Sequence, residues 1–197
     1  MAGHQAPVLA AVLAGGRGRR MGVPKATVAL AGRPLIERPL RALDAAGLET
    51  VVVAKPGSEL PALEAPVWEE PEEPVHPLCG VLRALAGAGV RPVLAVACDM
   101  PFLAPALLRR LAETDPPLVV PEAGGRLHPL LARYSPELSG PLRVALRRRA
   151  ALQEAVRALR PQVLGEDVLR RFGDPERLLF NVNDRADLAR AERLLAG

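Results

Sequence analysis

The sequence predicts an α/β fold in which a mostly parallel sheet is covered by helices on both faces. Apolar, β-type segments alternate with segments of helical periodicity along the chain, and turn residues separate them. The first apolar segment, residues 7–14, is unbroken, as in a central strand buried on both faces. These observations indicate a Rossmann-like, three-layer αβα domain that binds ligands at the carboxyl ends of its strands.

Local patterns predict the other elements. After the first strand, leucines recur at helical spacing between residues 35 and 48. Strands are expected at 50–54, 92–97, 118–121, 127–134 and 178–182, and helices around 81–86, 107–111, 137–160 and 184–195. The turn at residues 124–125 permits a hairpin, so the sheet should be mixed. The segment 59–77, rich in proline and glutamate, is expected to be an extended loop, and loops of that length are often functional.

Length and composition fit one compact domain, with 197 residues of which 49% are apolar. No apolar run approaches the ~18 to 20 residues that cross a bilayer, and the first seven residues do not resemble a secretion signal. We therefore expect a cytoplasmic protein with no membrane partner. Cys79 and Cys98 lack the paired spacing of a zinc site and are expected to be reduced and structural.

The net charge of +4 suits an anionic partner. The basic residues are spread along the chain without RNA-binding aromatic residues or a helix-turn-helix pattern, so an anionic small molecule explains them at least as well as nucleic acid, and no nucleic-acid partner is expected. Lys25 and Lys55 are the only lysines among 26 basic residues. Because ammonium and guanidinium groups serve different geometries, a lysine among arginines indicates a specific role, more strongly for Lys25 than for Lys55.

A glycine-rich segment with the sequence LAGGRGRRMGVPK follows the first strand at residues 13–25. Glycines at a strand end let backbone N–H groups approach a phosphate chain, and the arginines with Lys25 balance its charge. The dinucleotide fingerprint is excluded because Met21 stands at the third glycine, and a P-loop is excluded because Pro24 and Ala26 flank the lysine. A triphosphate site is therefore predicted, and a plain turn with solvated arginines is the alternative.

A single acid, Asp99, follows the apolar strand at 92–97 in the sequence CDMPF. At the carboxyl end of a strand it should face the ligand cleft. A carboxylate beside a nucleoside triphosphate usually holds Mg²⁺, a hard ion that bridges one or two carboxylates to phosphate oxygens. The alternative is a helix N-cap, because Pro101 and Phe102 are suited to opening a helix.

These two segments resemble the L-A-G-G-x-x-x-R-M-G…K signature and the C-D-x-P-F/Y segment of the molybdenum cofactor guanylyltransferases, the MobA family. The resemblance implies a nucleotide-binding half at about 7–115 and an acceptor-binding half at about 116–197. It also implies main-chain contacts to the nucleotide in the first loop, phosphate contacts, and magnesium on Asp99. The residues concerned are Leu13, Ala14, Gly15 and Gly16 for the main chain, and Arg19 and Lys25 for the phosphates. Pro24 and Ala54 depart from the family pattern, since they replace an aspartate and an asparagine.

Three further segments carry the resemblance. His76–Gly80 is similar to the family's G-P-L-A-G, with His76 in place of a glycine. In the family an acid upstream of that segment lies near guanine. Counting back gives Glu69, and Glu70 is a near-equal candidate, since a carboxylate accepts from the N1–H and amino group of guanine.

The other two segments are G-x-x-H-P, which includes His128, and N-x-N, which comprises Asn181 and Asn183. For the second, an active-site role and a helix N-cap built from Asn183 or Asp184 are both open.

The activity implied by the resemblance is attack of an acceptor phosphate on the α-phosphorus of GTP, with pyrophosphate leaving. With Mo-molybdopterin as the acceptor, the product is the molybdopterin guanine dinucleotide cofactor. The alternatives are CMP transfer to molybdopterin, GMP transfer to a cobinamide phosphate, and a nucleotide-binding regulator without activity. Transient contacts with proteins that deliver or receive the cofactor are a further expectation.

Overall fold

The computed structural model of the chain describes residues 7–16 and 23–196. Within these ranges, the strands in chain order are β1 (Leu9–Leu13), β2 (Ala29–Leu30), β3 (Arg33–Pro34), β4 (Thr50–Ala54), β5 (Val67–Glu69), β6 (Val93–Ala97), β7 (Leu118–Ala123), β8 (Arg126–Leu127), β9 (Leu131–Tyr134) and β10 (Gln162–Leu164). The helices are α1 (Glu37–Ala45), α2 (Pro77–Ala88), α3 (Pro105–Glu113), α4 (Ser139–Arg147), α5 (Leu152–Ala158), α6 (Glu166–Leu169), α7 (Pro175–Leu178) and α8 (Arg185–Ala196). In the described residues, no helix has the length and apolar character needed to span a membrane.

One mixed sheet forms the centre of the molecule, with the strand order β10-β7-β9-β6-β1-β4-β5 and β8 paired to β7. The glycine-rich segment follows the interior strand β1, which is parallel to β4 on one side and to β6 on the other. β9 is antiparallel to both β6 and β7, so the sheet is mixed, as the hairpin prediction requires. The parallel register brings the ends of β1, β4 and β6 to one edge.

The helices cover both faces of this sheet, and β1 shows the alternation directly. Ala10 and Val12 belong to one buried cluster, which includes residues of α1 and α3. Leu9 and Ala11 belong to a second cluster on the opposite face, built with residues of α2, α4 and α5. The predicted three-layer αβα fold is thus confirmed. The predominance of alanine and valine in β1 lets helices pack closely on both sides of the same strand.

Two sequence predictions for the second half are wrong. Residues 178–182 do not form a strand, since α7 ends at Leu178 and the segment after it runs as irregular backbone to the start of α8. It is buried because Val182 packs with Leu30 and Leu35 in a third apolar cluster, and burial rather than sheet pairing explains its apolar character. The predicted strand at 127–134 is divided into β8 and β9, and the edge strand β10 was not predicted.

Gly87 of α2 offers a direct test of packing between the helix layer and the sheet. A methyl group there would overlap the ring of Trp68 on β5, so Gly87→Ala should lower the free energy of unfolding by about 1–3 kcal/mol through overpacking. Gly140 of α4 is the matched control, because a methyl group at that position meets open space. Gly140→Ala should be neutral or slightly stabilising. Urea denaturation of both variants checks the contrast, and equal stabilities would contradict it.

Candidate active site

A cleft of about 530 Å³ opens at the edge where β1, β4 and β6 end. Its floor includes Leu13, Gly15 and Gly16 after β1, and one wall includes Lys25 and Asp99. The lining also includes His128 from the segment between β8 and β9. This is the position in which open α/β sheets bind their ligands.

Lys25, Asp99 and Asn183 meet in this cleft, although 74 and 158 positions along the chain separate the last two from Lys25. Lys25 Nζ donates to Asp99 Oδ2 at 2.6 Å and to Asn183 Oδ1 at 2.9 Å. The lysine and aspartate side chains are 18% and 12% exposed, so the ion pair is largely shielded from solvent. The arrangement fixes an ammonium group and a carboxylate side by side.

A main-chain hydrogen bond places the segment of Asn183 beside Asp99. Asp99 follows β6, and its carbonyl oxygen accepts a 2.9 Å hydrogen bond from the backbone N–H of Val182. The N-cap of α3 is Ala104, so Asp99 is not a helix cap. At α8, Asp184 Oδ1 accepts from Asp187 N, and Asp187 Oδ2 accepts from Asn183 N. Since the two aspartates cap α8, the side chain of Asn183 is left to bind Lys25.

The second carboxylate oxygen of Asp99, Oδ1, is buried and has no hydrogen-bond partner among the described residues. A buried carboxylate oxygen without a partner is costly, and a cation would satisfy it. No cluster of three or more His, Cys, Asp and Glu side chains occurs in the described part of the chain. A single carboxylate suits a magnesium ion that takes its other ligands from water and phosphate.

Glu70 also lines the cleft, and the neighbouring Glu69 does not. The side chain of Glu69 is exposed, because this residue ends β5 and points away from the cleft wall. Glu70 is only 7% exposed and lies against the backbone of two glycines. A methyl group on Gly15 would overlap Glu70 Oε1, and one on Gly80 would lie 3.1 Å from Oε2. Glycine at both positions thus makes room for the carboxylate. Counting along the sequence favoured Glu69 as the acid near the base, whereas Glu70, the other candidate, is the one that lines the cleft.

Lys55 follows β4 and lies beside Glu70, with 3.7 Å between Nζ and Oε1. Desolvation by burial raises the pKa of Glu70, and the positive charge of Lys55 opposes that rise. Only a weak sequence signal pointed to Lys55, namely the rarity of lysine among the basic residues. The site therefore contains both lysines of the chain.

Side chains of α5 hold the part of the cleft lining that contains His128. Gln153 Nε2 donates to the carbonyl of Leu127 at 2.5 Å, and Arg157 Nη2 donates to the carbonyl of Gly125 at 3.0 Å. Burial lowers the pKa of His128 to about 4, so its imidazole is neutral at neutral pH and can both donate and accept a hydrogen bond. Gln153 was not among the residues predicted from the sequence.

His76 connects the two sides of the cleft. Its Nδ1 accepts from the backbone N–H of Leu78 at the start of α2, so the ring proton is on Nε2 and points to the carbonyl of Ala150 at 3.1 Å. His76→Ala removes both contacts and should lower the free energy of unfolding by about 1–2 kcal/mol. His76→Asn retains a capping oxygen and should lose about half as much. Urea denaturation distinguishes them, and equal losses would show that the cap contributes nothing.

Most of the residues predicted for the nucleotide side come together in the cleft, namely Leu13, Gly15, Gly16, Lys25, Asp99, Asn181 and Asn183. Ala14 is buried beneath it, and its N–H donates to the carbonyl of Val53 in the sheet. Arg19 lies outside the described residues. The amide of Asn181 donates to the carbonyl of Leu179, which keeps the irregular segment before α8 in place.

Comparison with known proteins identifies the family to which the chain is similar. Residues 10–164 match the family model described as the MobA-like NTP transferase domain. The chain is 34% identical over 195 residues to a probable molybdenum cofactor guanylyltransferase of Pelotomaculum thermopropionicum, with 91% of this chain and 89% of that protein covered. It is 36% identical over 195 residues to one of Mycobacterium tuberculosis, with 92% of each chain covered.

Two solved structures are also similar to this chain. The molybdopterin-guanine dinucleotide biosynthesis protein A of Archaeoglobus fulgidus is similar with a TM-score of 0.79 and 27% identity, over 96% of this chain and 99% of that one. The 2-C-methyl-D-erythritol 4-phosphate cytidylyltransferase of Thermus thermophilus shares the fold, with a TM-score of 0.70 and 24% identity over 98% and 100% of the two chains. The fold and these relatives define a nucleotidyltransferase. Within that class, the chain belongs to the molybdenum cofactor guanylyltransferase (MobA) family.

Proposed function

We propose that this enzyme transfers GMP from GTP to Mo-molybdopterin, releasing pyrophosphate and forming the molybdopterin guanine dinucleotide cofactor. The observation that carries the proposal is the convergence of Lys25, Asp99 and Asn183 at the strand ends, in a chain related over nine-tenths of its length to probable guanylyltransferases. Residues 7–115 supply the nucleotide side in this proposal, and residues 116–197 the acceptor side.

The reaction is an in-line attack by a phosphate oxygen of the acceptor on the α-phosphorus of GTP. The new P–O bond forms as the bond to the β-phosphate oxygen breaks, and pyrophosphate leaves with that electron pair. Lys25, the N–H groups of the glycine-rich segment and Arg19 bind and orient the triphosphate. Electrostatic stabilisation is the main contribution that such sites make to catalysis.

Asp99 is the proposed ligand of Mg²⁺, and its partnerless Oδ1 supports that role. When bound, the ion neutralises phosphate charge as a Lewis acid. Lys25 Nζ binds the other oxygen of this carboxylate. Asn183 Oδ1 accepts a second hydrogen bond from the same ammonium group.

For base selection we propose Glu70 in place of Glu69. Glu70 is the acid that faces the cleft, above the first glycine of the loop. Its carboxylate can accept from both N1–H and the amino group of guanine, and cytosine has no N1–H to offer. This argument favours GTP over CTP as the substrate.

On the acceptor side, His128 and Gln153 line the cleft together with Arg126. A neutral imidazole, an amide and a guanidinium suit a phosphorylated heterocycle with several hydrogen-bonding groups. Gln153 Oε1 is buried and has no hydrogen-bond partner among the described residues, so it offers one acceptor to such a ligand.

The direct test is to incubate the protein with Mg²⁺, Mo-molybdopterin and each of the four nucleoside triphosphates, and to analyse the products by mass and by pyrophosphate release. We expect the guanine dinucleotide from GTP. A cytosine dinucleotide from CTP would replace the proposal by cytidylyl transfer, and release only with a cobinamide phosphate would change the acceptor. Tight GTP binding without pyrophosphate release with any acceptor would indicate a regulator.

A further inference from the structure

Lys55 is enclosed almost as completely as the carboxylate beside it. The side chains of Lys55 and Glu70 are 9% and 7% exposed. Lys55 Nζ donates to the carbonyl oxygens of Pro71 at 2.6 Å and Glu72 at 2.8 Å. Since an ammonium group has three N–H donors, two hold the loop that follows Glu70 and one remains for the carboxylate. No donor is left for a phosphate.

The charge of Lys55 matters because its neighbour is desolvated. Burial raises the pKa of Glu70, and Lys55 is the group that lowers it. Among the described residues, the Cys79 thiol in the first turn of α2 also interacts electrostatically with Glu70. Burial raises the pKa of Cys79, so the thiol is neutral at neutral pH and does not substitute for the lysine.

We infer that Lys55 is a positioning residue for nucleotide selection, which acts through Glu70 and the loop at 71–76 without touching the nucleotide. The inference rests on the proposed function, in which Glu70 accepts hydrogen bonds from the base. The positive charge of Lys55 favours the ionised form of the carboxylate, and its bonds to Pro71 and Glu72 fix the chain that carries Glu70 against Gly15 and Gly80. The lysine at this position thereby makes a buried glutamate usable as a hydrogen-bond acceptor.

A double-mutant cycle tests this inference with Lys55→Met, Glu70→Gln and the double variant. GTP affinity is measured by calorimetry, and kcat and KM by pyrophosphate release. We expect Lys55→Met to weaken GTP binding by roughly 10-fold or more, as for loss of a hydrogen bond to a charged group. The kcat at saturating GTP should change far less. The double variant should bind GTP no more weakly than Glu70→Gln alone, because both substitutions remove the same interaction, the one between the Glu70 carboxylate and the base.

The pH dependence provides a readout that loss of structure would not produce. In Lys55→Met, the unpaired Glu70 should ionise only at higher pH, so GTP affinity should recover as the pH rises. Glu70→Gln should show no such recovery. Independent, multiplicative losses in the double variant, or an unchanged affinity in Lys55→Met, would overturn the inference.

The comparison of Glu70→Gln with the double variant remains informative if Lys55→Met alone fails to fold, because neither contains an unpaired buried carboxylate. Failure of the proposed function has a different signature. The wild-type protein would then prefer another nucleoside triphosphate. The same cycle repeated with that nucleotide still decides whether Lys55 acts through Glu70.

Discussion

Replacing Asp99 by asparagine is expected to lower the kcat of pyrophosphate release by roughly 10³-fold or more, because a metal ion contributes several kcal/mol of charge stabilisation in the transition state. Asparagine has nearly the same shape, so the fold should survive. The substitution removes the charge that pairs with Lys25 and the oxygen offered to Mg²⁺. Binding of Mn²⁺, followed by electron paramagnetic resonance, should weaken in parallel.

Asp167→Asn is the matched control for this prediction. Its side chain is 99% exposed on α6, and it forms only a surface ion pair with Arg170, so neither turnover nor Mn²⁺ binding should change. If Asp99→Asn kept wild-type Mn²⁺ affinity and lost activity all the same, the carboxylate would not be the metal ligand. Its role would then be confined to holding Lys25.

The second large effect is expected for Lys25→Met, which should lower kcat by ~10²-fold or more through loss of a preorganised positive charge at the phosphates. Methionine fills a similar volume without the ammonium group. Because Lys25 Nζ lies 2.6 Å from Asp99 Oδ2, its positive charge competes with that of a metal ion for the same carboxylate. The variant should therefore retain or gain Mn²⁺ affinity while it loses turnover.

Arg110→Met provides the control, since it removes a basic side chain from the exposed face of α3, away from the cleft. Its turnover should match that of the wild type. A Lys25→Met variant with normal kcat would remove the lysine from the catalytic machinery. One that lost both turnover and Mn²⁺ binding would indicate that Lys25 acts by shaping Asp99.

The sequence predicted the parts of the fold that depend on regular patterns. β1, β4 and β6 are continuous apolar segments bounded by turn residues, and their parallel pairing follows from the helices between them. The segment at 178–182 has the same composition as a strand, but it is buried against α8 and the β2–β3 hairpin. Local composition does not distinguish burial in a sheet from burial between other elements.

In the site, too, residues that belong to local motifs were predictable, whereas residues positioned by tertiary packing were not. Lys25 and Asp99 were predictable because each belongs to a short motif at a strand end. Counting back from the His76–Gly80 motif could not decide between Glu69 and Glu70, because the proline-rich loop between them and the motif leaves the alignment open. The pairing of β5 with β4 determines which of the two side chains faces the cleft. Gln153 belongs to no sequence motif. Its position in the site depends on the packing of α5 beside the β7–β8 hairpin, which local sequence does not predict.

The single main-chain hydrogen bond from Val182 to Asp99 has a consequence for biosynthesis of the protein. During translation, the ribosome releases residues 25 and 99 long before residue 183, so the ammonium and carboxylate first meet without their amide partner. Contacts of such wide sequence separation are slow to form, because their loop-closure entropy must be overcome first. The newly made chain is thus expected to complete its Lys25–Asp99–Asn183 cluster only when its final helix docks.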